Sequence, residues 1–200
     1  MSEKFRLSAR NGVLMVLALT VAGAAQAHTG HTVTGFMSGL AHPFGLDHLL
    51  AMVAVGIWSS VQLPAGKVWQ GPLTFMVCLL AGAVAGMAGW GLPEGEWLIA
   101  LSVVALGAMV IAAGRLPVAA GFFLIAVSAS LHGLAHGAEA PGVGYAGYAA
   151  GFLITTAVLH ALGSGAAWLA RHRMPHSAIW WVRGAGVVCA GTGWYLASQI

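Results

Sequence analysis

Residues 117–137 read PVAAGFFLIAVSASLHGLAHG, and no Asp, Glu, Lys or Arg occurs among them. A helix needs about 20 mainly apolar residues to cross a bilayer, so this stretch is long enough to span a membrane. Similar runs recur along the 200-residue chain, which is 59% hydrophobic and only 6% charged. Soluble domains carry about 25% charged residues. The composition and the absence of period-two alternation therefore predict an all-α, polytopic membrane protein rather than a soluble domain or a β-barrel.

About six transmembrane helices are predicted in a single domain over residues 28–200. They cover approximately 43–62, 72–91, 96–114, 117–137, 145–169 and 178–198. The prolines that separate neighbouring runs mark the connections, because proline interrupts helices. Gly82 and Gly86 are four residues apart and predict a close helix–helix contact.

The first 27 residues have the three parts of a secretory signal peptide. Three basic residues lie within the first ten, a short apolar run covers 13–22, and Ala25-Gln26-Ala27 is a small-x-small cleavage site. An uncleaved first helix is the alternative. Cleavage would leave His28 as the mature N-terminus, outside the cytoplasm.

Loop charges predict the orientation of the helices. With the mature N-terminus outside, the inner connections carry Lys67, Arg115, Arg171 and Arg173. The outer connections carry Glu94 and Glu139 and no basic residue. This is the positive-inside pattern, and together with the signal peptide it predicts a bacterial inner-membrane protein with a periplasmic N-terminus. The few basic residues are scattered, which argues against a nucleic-acid partner.

The first group of residues that can carry chemistry is the run HPFGLDHLLAM at 42–52. Pro43 suits the first position of a helix, which would put His42 at its cap. Asp47 and His48 then fall in the second turn, near the outer membrane surface. Two imidazoles and a carboxylate can replace the water shell of nickel, zinc, copper or iron. Asp47 can instead orient a metal-binding histidine through its ring N–H.

A second group, HGLAHGAEAP, occupies 132–141. His132 and His136 are four residues apart, so a helix places both on one face where they can share an ion. Glu139 continues that face. Ionisable groups are costly at membrane depth, and their concentration predicts a metal site near the outer ends of the first and fourth spans. Structural polar pairing is the alternative.

Two further histidines are candidates for metal binding. His160 lies deeper, in the fifth span, and is either a second, inner station for the ion or a buried histidine bonded to a carbonyl or threonine. His28 would combine a free α-amine with its imidazole if the leader is cleaved. The alternative for His28 is a mobile terminal tail.

Both motifs resemble those of the HupE/UreJ family of nickel, and sometimes cobalt, permeases. The matching positions are His42, Pro43, Gly45, Asp47, His48 and Met52 in the first run, and His132, Gly133, Ala135, His136, Gly137, Glu139 and Pro141 in the second. The resemblance implies transition-metal uptake linked to the maturation of hydrogenase or urease. It also implies metal binding by His42, Asp47, His48, His132, His136 and Glu139.

The sequence thus predicts a permease rather than an enzyme, with nickel or cobalt as substrate and no catalytic cofactor. The chain contains no Walker motif, so transport is expected to be independent of ATP. Metal binding needs neutral imidazoles and should weaken below a pH of about 6.5. The rival interpretations are an intramembrane zinc-dependent lipid hydrolase and a metal-binding subunit that does not transport. A homo-oligomer is left open.

Overall fold

A computed structural model describes residues 35–138 and 144–200, and within them it contains seven α-helices, two 3₁₀ turns and no strand. The helices are α1 (Phe36–Ala41), α2 (Leu46–Gln62), α3 (Gln70–Met87), α4 (Gly95–Ile111), α5 (Val118–Ala138), α6 (Tyr145–Arg173) and α7 (Ala178–Ala197). The all-α prediction is confirmed for these residues. The predicted signal peptide over 1–27, His28 and Glu139 lie outside the described residues.

The described helices include three that are long and apolar enough to cross a membrane: Ala65–Met87, Val118–Ala138 and Tyr145–Arg173. A bent pair, Phe36–Phe44 and Leu46–Gln62, makes a fourth candidate if it is counted as one span. The 17-residue α4 is apolar but shorter. The 20-residue α7 is not among these candidates. Arg183 and three tryptophans lower its mean hydropathy. Three or four spans thus meet the length and composition test, against six expected from sequence.

The first predicted span differs most from expectation, because it is broken. The chain forms α1, then a 3₁₀ turn over His42–Phe44, and α2 begins only at Leu46, with a bend of 76° between the two parts. Pro43 lies in the turn and does not begin the long helix. Gly45, with φ −54° and ψ 140°, is the N-cap of α2. Asp47 is therefore in the first turn of α2, not the second.

Small residues let the helices approach closely in pairs. A Cβ on Gly82 or Gly86 of α3 would meet the backbone of α5, and a Cβ on Gly133 would meet the carbonyl of Leu79. Gly56 of α2 lies against the backbone of α6 at His160. The predicted contact at Gly82 and Gly86 is thus confirmed. These contacts bring α2, α3, α5 and α6 together around one interior.

The outer surface of the bundle is apolar. Exposed side chains recur every three or four residues on α3 (Leu73, Val77, Leu80 and Val84) and on α6 (Ile154, Val158 and Leu162). A water-soluble helix would present polar residues on this face, so the pattern is that of a helix whose solvent is lipid. The polar residues described below are turned inward instead.

Hydrogen bonds join the helix ends opposite to the histidine-rich end of the bundle. Gln62, at the end of α2, donates to the carbonyl of Leu116 (2.9 Å) and accepts from the backbone N–H of Gly114 (2.7 Å). Arg171 of α6 donates to the carbonyl of Ser60, in the last turn of α2, at 2.8 Å. The basic side chain satisfies a carbonyl that the helix end leaves free.

We expect Arg171→Ala to lower the free energy of unfolding by about 1 kcal/mol, since it removes one hydrogen bond to a helix-end carbonyl and the exposed arginine is partly screened by solvent. Thermal unfolding of the purified chain in detergent measures the change. Arg173→Ala is the matched control, because Arg173 is exposed two residues further along the same helix. Equal effects of the two substitutions would contradict the structural role of Arg171.

Candidate metal centre

Three histidines from two distant parts of the sequence meet at one end of the bundle. His42, His48 and His136 each offer one ring nitrogen, and these nitrogens all lie within 4.8 Å of one another. Nε2 of His48 faces Nε2 of His136. The ring centroids of His42 and His136 are 4.5 Å apart, as are those of His48 and His136. We call His42, His48 and His136 the histidine cluster.

The broken first span explains how His42 reaches this position. On a continuous helix, His42 and His48 would be six residues apart and would point in different directions. The 76° bend at Gly45 turns the chain so that their ring centroids are 5.5 Å apart. Thr155 of α6 fixes the other side of the bend, since its hydroxyl donates to the carbonyl of Leu40 at 2.9 Å.

Asp47 holds the ring of His48. One carboxylate oxygen lies 2.8 Å from Nδ1 of His48 and also accepts the backbone N–H of His48 at 2.8 Å. If Nδ1 donates to this carboxylate, the lone pair of the neutral ring is on Nε2, the atom that faces His136. Such a carboxylate–histidine pair is common in metal sites, where it fixes the orientation of the ring and raises its basicity. The structure therefore favours the orienting role for Asp47.

His132 is beside the histidine cluster but outside the three-nitrogen group. Its ring centroid is 4.7 Å from that of His48, and it is completely buried. Nδ1 bonds to the carbonyl of Ser128 at 2.9 Å, with the Ser102 hydroxyl at 3.4 Å. Nε2 has no hydrogen-bond partner among the described residues. His132 and His136, predicted to share one ion, both lie against His48.

His160 is buried in α6 and is not part of the histidine cluster. It lies on α6 with 1% of its surface exposed. The backbone carbonyl of Thr156 lies near the ring, but neither ring nitrogen makes a hydrogen bond of good geometry within the described part of the chain. The ring of Phe75 lies 5.1 Å from it, centroid to centroid.

Two aromatic residues that the sequence analysis did not single out form a wall of the site. The ring of Phe152 lies between 5.4 and 6.2 Å from all three rings of the histidine cluster. Tyr148 lies 5.8 Å from His42. Both belong to α6, where positions 148, 152, 156 and 160 form a stripe with four-residue spacing. That spacing back from His160 is the signal that could have identified them.

The amino-acid sequence is similar to known proteins over most of its length. The model of a family described as "HupE / UreJ protein" matches residues 15–196. Protein HupE of Rhizobium leguminosarum bv. viciae is 42% identical over 176 residues, which cover 87% of this chain and 91% of the relative. No solved structure matches the chain. The matched region contains both histidine motifs and the seven described helices except for Ala197, the last residue of α7.

Proposed function

Because this chain belongs to the HupE / UreJ family, we propose that it carries a divalent transition-metal ion, nickel or cobalt, across the bacterial inner membrane as an ATP-independent permease. The observation that supports this most is the histidine cluster, whose three ring nitrogens lie within 4.8 Å of one another. Imidazole nitrogens suit nickel, zinc, copper and iron, whereas magnesium and calcium prefer oxygen ligands.

The roles of individual residues follow from their surroundings. His42, His48 and His136 are the proposed ligands, and Asp47 orients His48 through its ring N–H. His132, with a free Nε2 next to His48, is the next ligand inward.

Glu139 and His28 remain ligands predicted from the sequence. Their proposed roles are to attract the cation to the entrance.

Transport then proceeds from the histidine cluster toward His160. The ion exchanges water for imidazole at the periplasmic end of a six-span bundle whose leader peptide is removed. A membrane potential that is negative inside favours entry by about 2.3 kcal/mol per charge for each 100 mV, which can drive uptake without a coupled ion. The site contains no thiolate among its proposed ligands, and this limits its affinity enough for release.

A role in nickel supply follows from the proposed transport. The imported ion would serve the maturation of a nickel enzyme such as hydrogenase or urease. Oligomerisation of the chain is compatible with this role and is not required by it, since the proposed ligands described here come from one copy.

Metal competition tests the proposed function. We expect proteoliposomes that contain the full-length chain to accumulate radiolabelled nickel, and cobalt to compete when added in excess. A 100-fold excess of magnesium, roughly, should leave uptake unchanged because magnesium prefers oxygen ligands and sheds its water reluctantly. Liposomes without protein are the control. Wild-type protein that binds nickel without accumulating it would instead identify a binding subunit.

The hydrolase alternative makes a different prediction. The sequence offers Ser130 and Ser164 as candidate nucleophiles for such an enzyme. Ser164 donates its hydroxyl to the carbonyl of Gly56 at 3.0 Å, which is a hydrogen bond between two helices. Zinc-dependent release of fatty acid from lipid amides by the purified chain, with no metal flux, would support the enzyme and refute the permease.

A further inference from the structure

Most of the buried polar atoms that lack a hydrogen-bond partner in the described part of the chain belong to two neighbouring residues of α6. Five buried side-chain atoms of the described residues lack a hydrogen-bond partner: Nε1 of Trp58, Nε2 of His132, Oγ1 of Thr156, and both ring nitrogens of His160. Leaving such a group buried and unsatisfied is energetically unfavourable, so each one needs an explanation. Three of the five atoms belong to Thr156 and His160, which are one turn apart on the same face of α6.

The described surroundings of Thr156 and His160 leave a hydroxyl and at least one ring nitrogen without a hydrogen-bond partner. Thr156 is completely buried and His160 is 1% exposed. The backbone carbonyl of Thr156 is within reach of one ring nitrogen of His160, and this leaves the other ring nitrogen and the Thr156 hydroxyl without a partner among the described residues. An imidazole and a hydroxyl with free lone pairs, held on one helix face, are a ready donor pair for a cation.

Phe75 of α3 lies against the rings of both His132 and His160. Its centroid is 6.1 Å from that of His132 and 5.1 Å from that of His160, and none of its surface is exposed. An apolar ring at this place opposes the passage of a hydrated ion, as hydrophobic constrictions do in channels. An ion that has exchanged its water for imidazole can pass the aromatic face, which attracts cations.

We propose that Thr156 and His160 form an inner metal station, and that Phe75 is the constriction between this station and His132. The proposal rests on the proposed function, since it concerns the route of the same ion. The station takes a borderline divalent cation through one imidazole nitrogen and one hydroxyl oxygen. Phe75 selects for ions that part with their water, which favours nickel or cobalt over magnesium.

Substitutions in the full-length chain test the station. In proteoliposomes with a nickel-quenched dye inside, His160→Ala should slow nickel entry about tenfold or more. It should also reduce the nickel bound per chain by one ion at equilibrium. Thr156→Val replaces one hydroxyl by a methyl group and should slow entry several-fold without weakening binding at the histidine cluster. Because Thr156→Val keeps the shape of the side chain, it still allows the station to be tested if His160→Ala does not fold.

The constriction has its own readout. Phe75→Ala should raise the initial rate of entry and reduce the preference for nickel over magnesium, whereas Phe75→Trp should slow entry. Phe123→Ala is the matched control, because Phe123 is 67% exposed on the lipid-facing side of α5. Its rate and selectivity should equal those of the wild type.

The outcomes separate the two proposals. Wild-type protein that moves no metal overturns both. If the wild type transports, and the Thr156, His160 and Phe75 variants all behave like Phe123→Ala, only the inner station is refuted. Unchanged nickel stoichiometry in His160→Ala would mean that the unpartnered atoms hold water alone, and would also refute it.

Discussion

We expect His48→Ala to weaken nickel binding by more than about 100-fold, the largest effect on function among the histidine substitutions. Loss of a partner that merely orients a ligand typically costs 10–100-fold in metal affinity, and His48 is a proposed ligand. Its Nε2 faces His136, its Nδ1 is held by Asp47, and its ring also lies against His132. Removing it leaves the remaining imidazoles without their common neighbour.

Equilibrium titration of the purified chain with nickel in detergent measures this effect, and vesicle uptake should fall with it. Asp47→Asn should weaken binding less, by about 10–100-fold, because it removes the orienting charge but leaves the ring in place. His172→Ala is the control: this exposed histidine donates to the carbonyl of Trp168 within its own helix. Wild-type affinity in both His48→Ala and His136→Ala would refute the site.

The second large effect is expected for Gly133→Ala, which should disturb the packing of α5 against α3. A Cβ at this position would collide with the carbonyl of Leu79, and backbone cannot turn aside as a flexible side chain can. Gly133→Ala should therefore destabilise the chain by about 1–3 kcal/mol, the usual range for overpacking. It should also weaken nickel binding, since α5 carries His132 next to this residue and His136 one turn later.

Gly191→Ala is the matched control for Gly133→Ala. Gly191 is also helical, but a Cβ added there would meet no atom within 4 Å. Alanine should stabilise α7 by about 0.5–1 kcal/mol, the ordinary gain in helix propensity over glycine. Thermal unfolding in detergent compares the two. If both substitutions shift the midpoint in the same direction by the same amount, close helix packing at Gly133 is not what restricts this position.

The two histidine motifs show which side-chain contacts residue spacing can predict and which it cannot. His132 and His136 are four residues apart on one helix, and helical periodicity alone places them on one face. His42 and His48 could not be related in this way, because their closeness depends on the 76° bend between α1 and α2. Pro43 and Gly45 mark the bend in the sequence. Spacing rules taken alone place the start of the long helix at Pro43, whereas it begins at Leu46.

The boundaries of the helices show a related limit. The predicted boundaries of the later helices are close to those observed, since long apolar runs and prolines mark them. The predicted first span missed α1, a six-residue helix that packs on α6 through Gly39 and Gly151. Such a short helix has little stability of its own, so its existence depends on tertiary contacts.

The amino-acid sequence by itself determined the helical class, the family and the residue types able to bind a metal, because hydrophobicity, periodicity and motif identity are local properties of a chain. The tertiary structure alone decided that His42, His48 and His136 meet, that Asp47 holds one of their rings, and that Phe75 contacts both His132 and His160. These relations join residues from separate helices. Their distances are set by how glycine-rich helix faces pack against one another, which residue spacing along the chain does not encode.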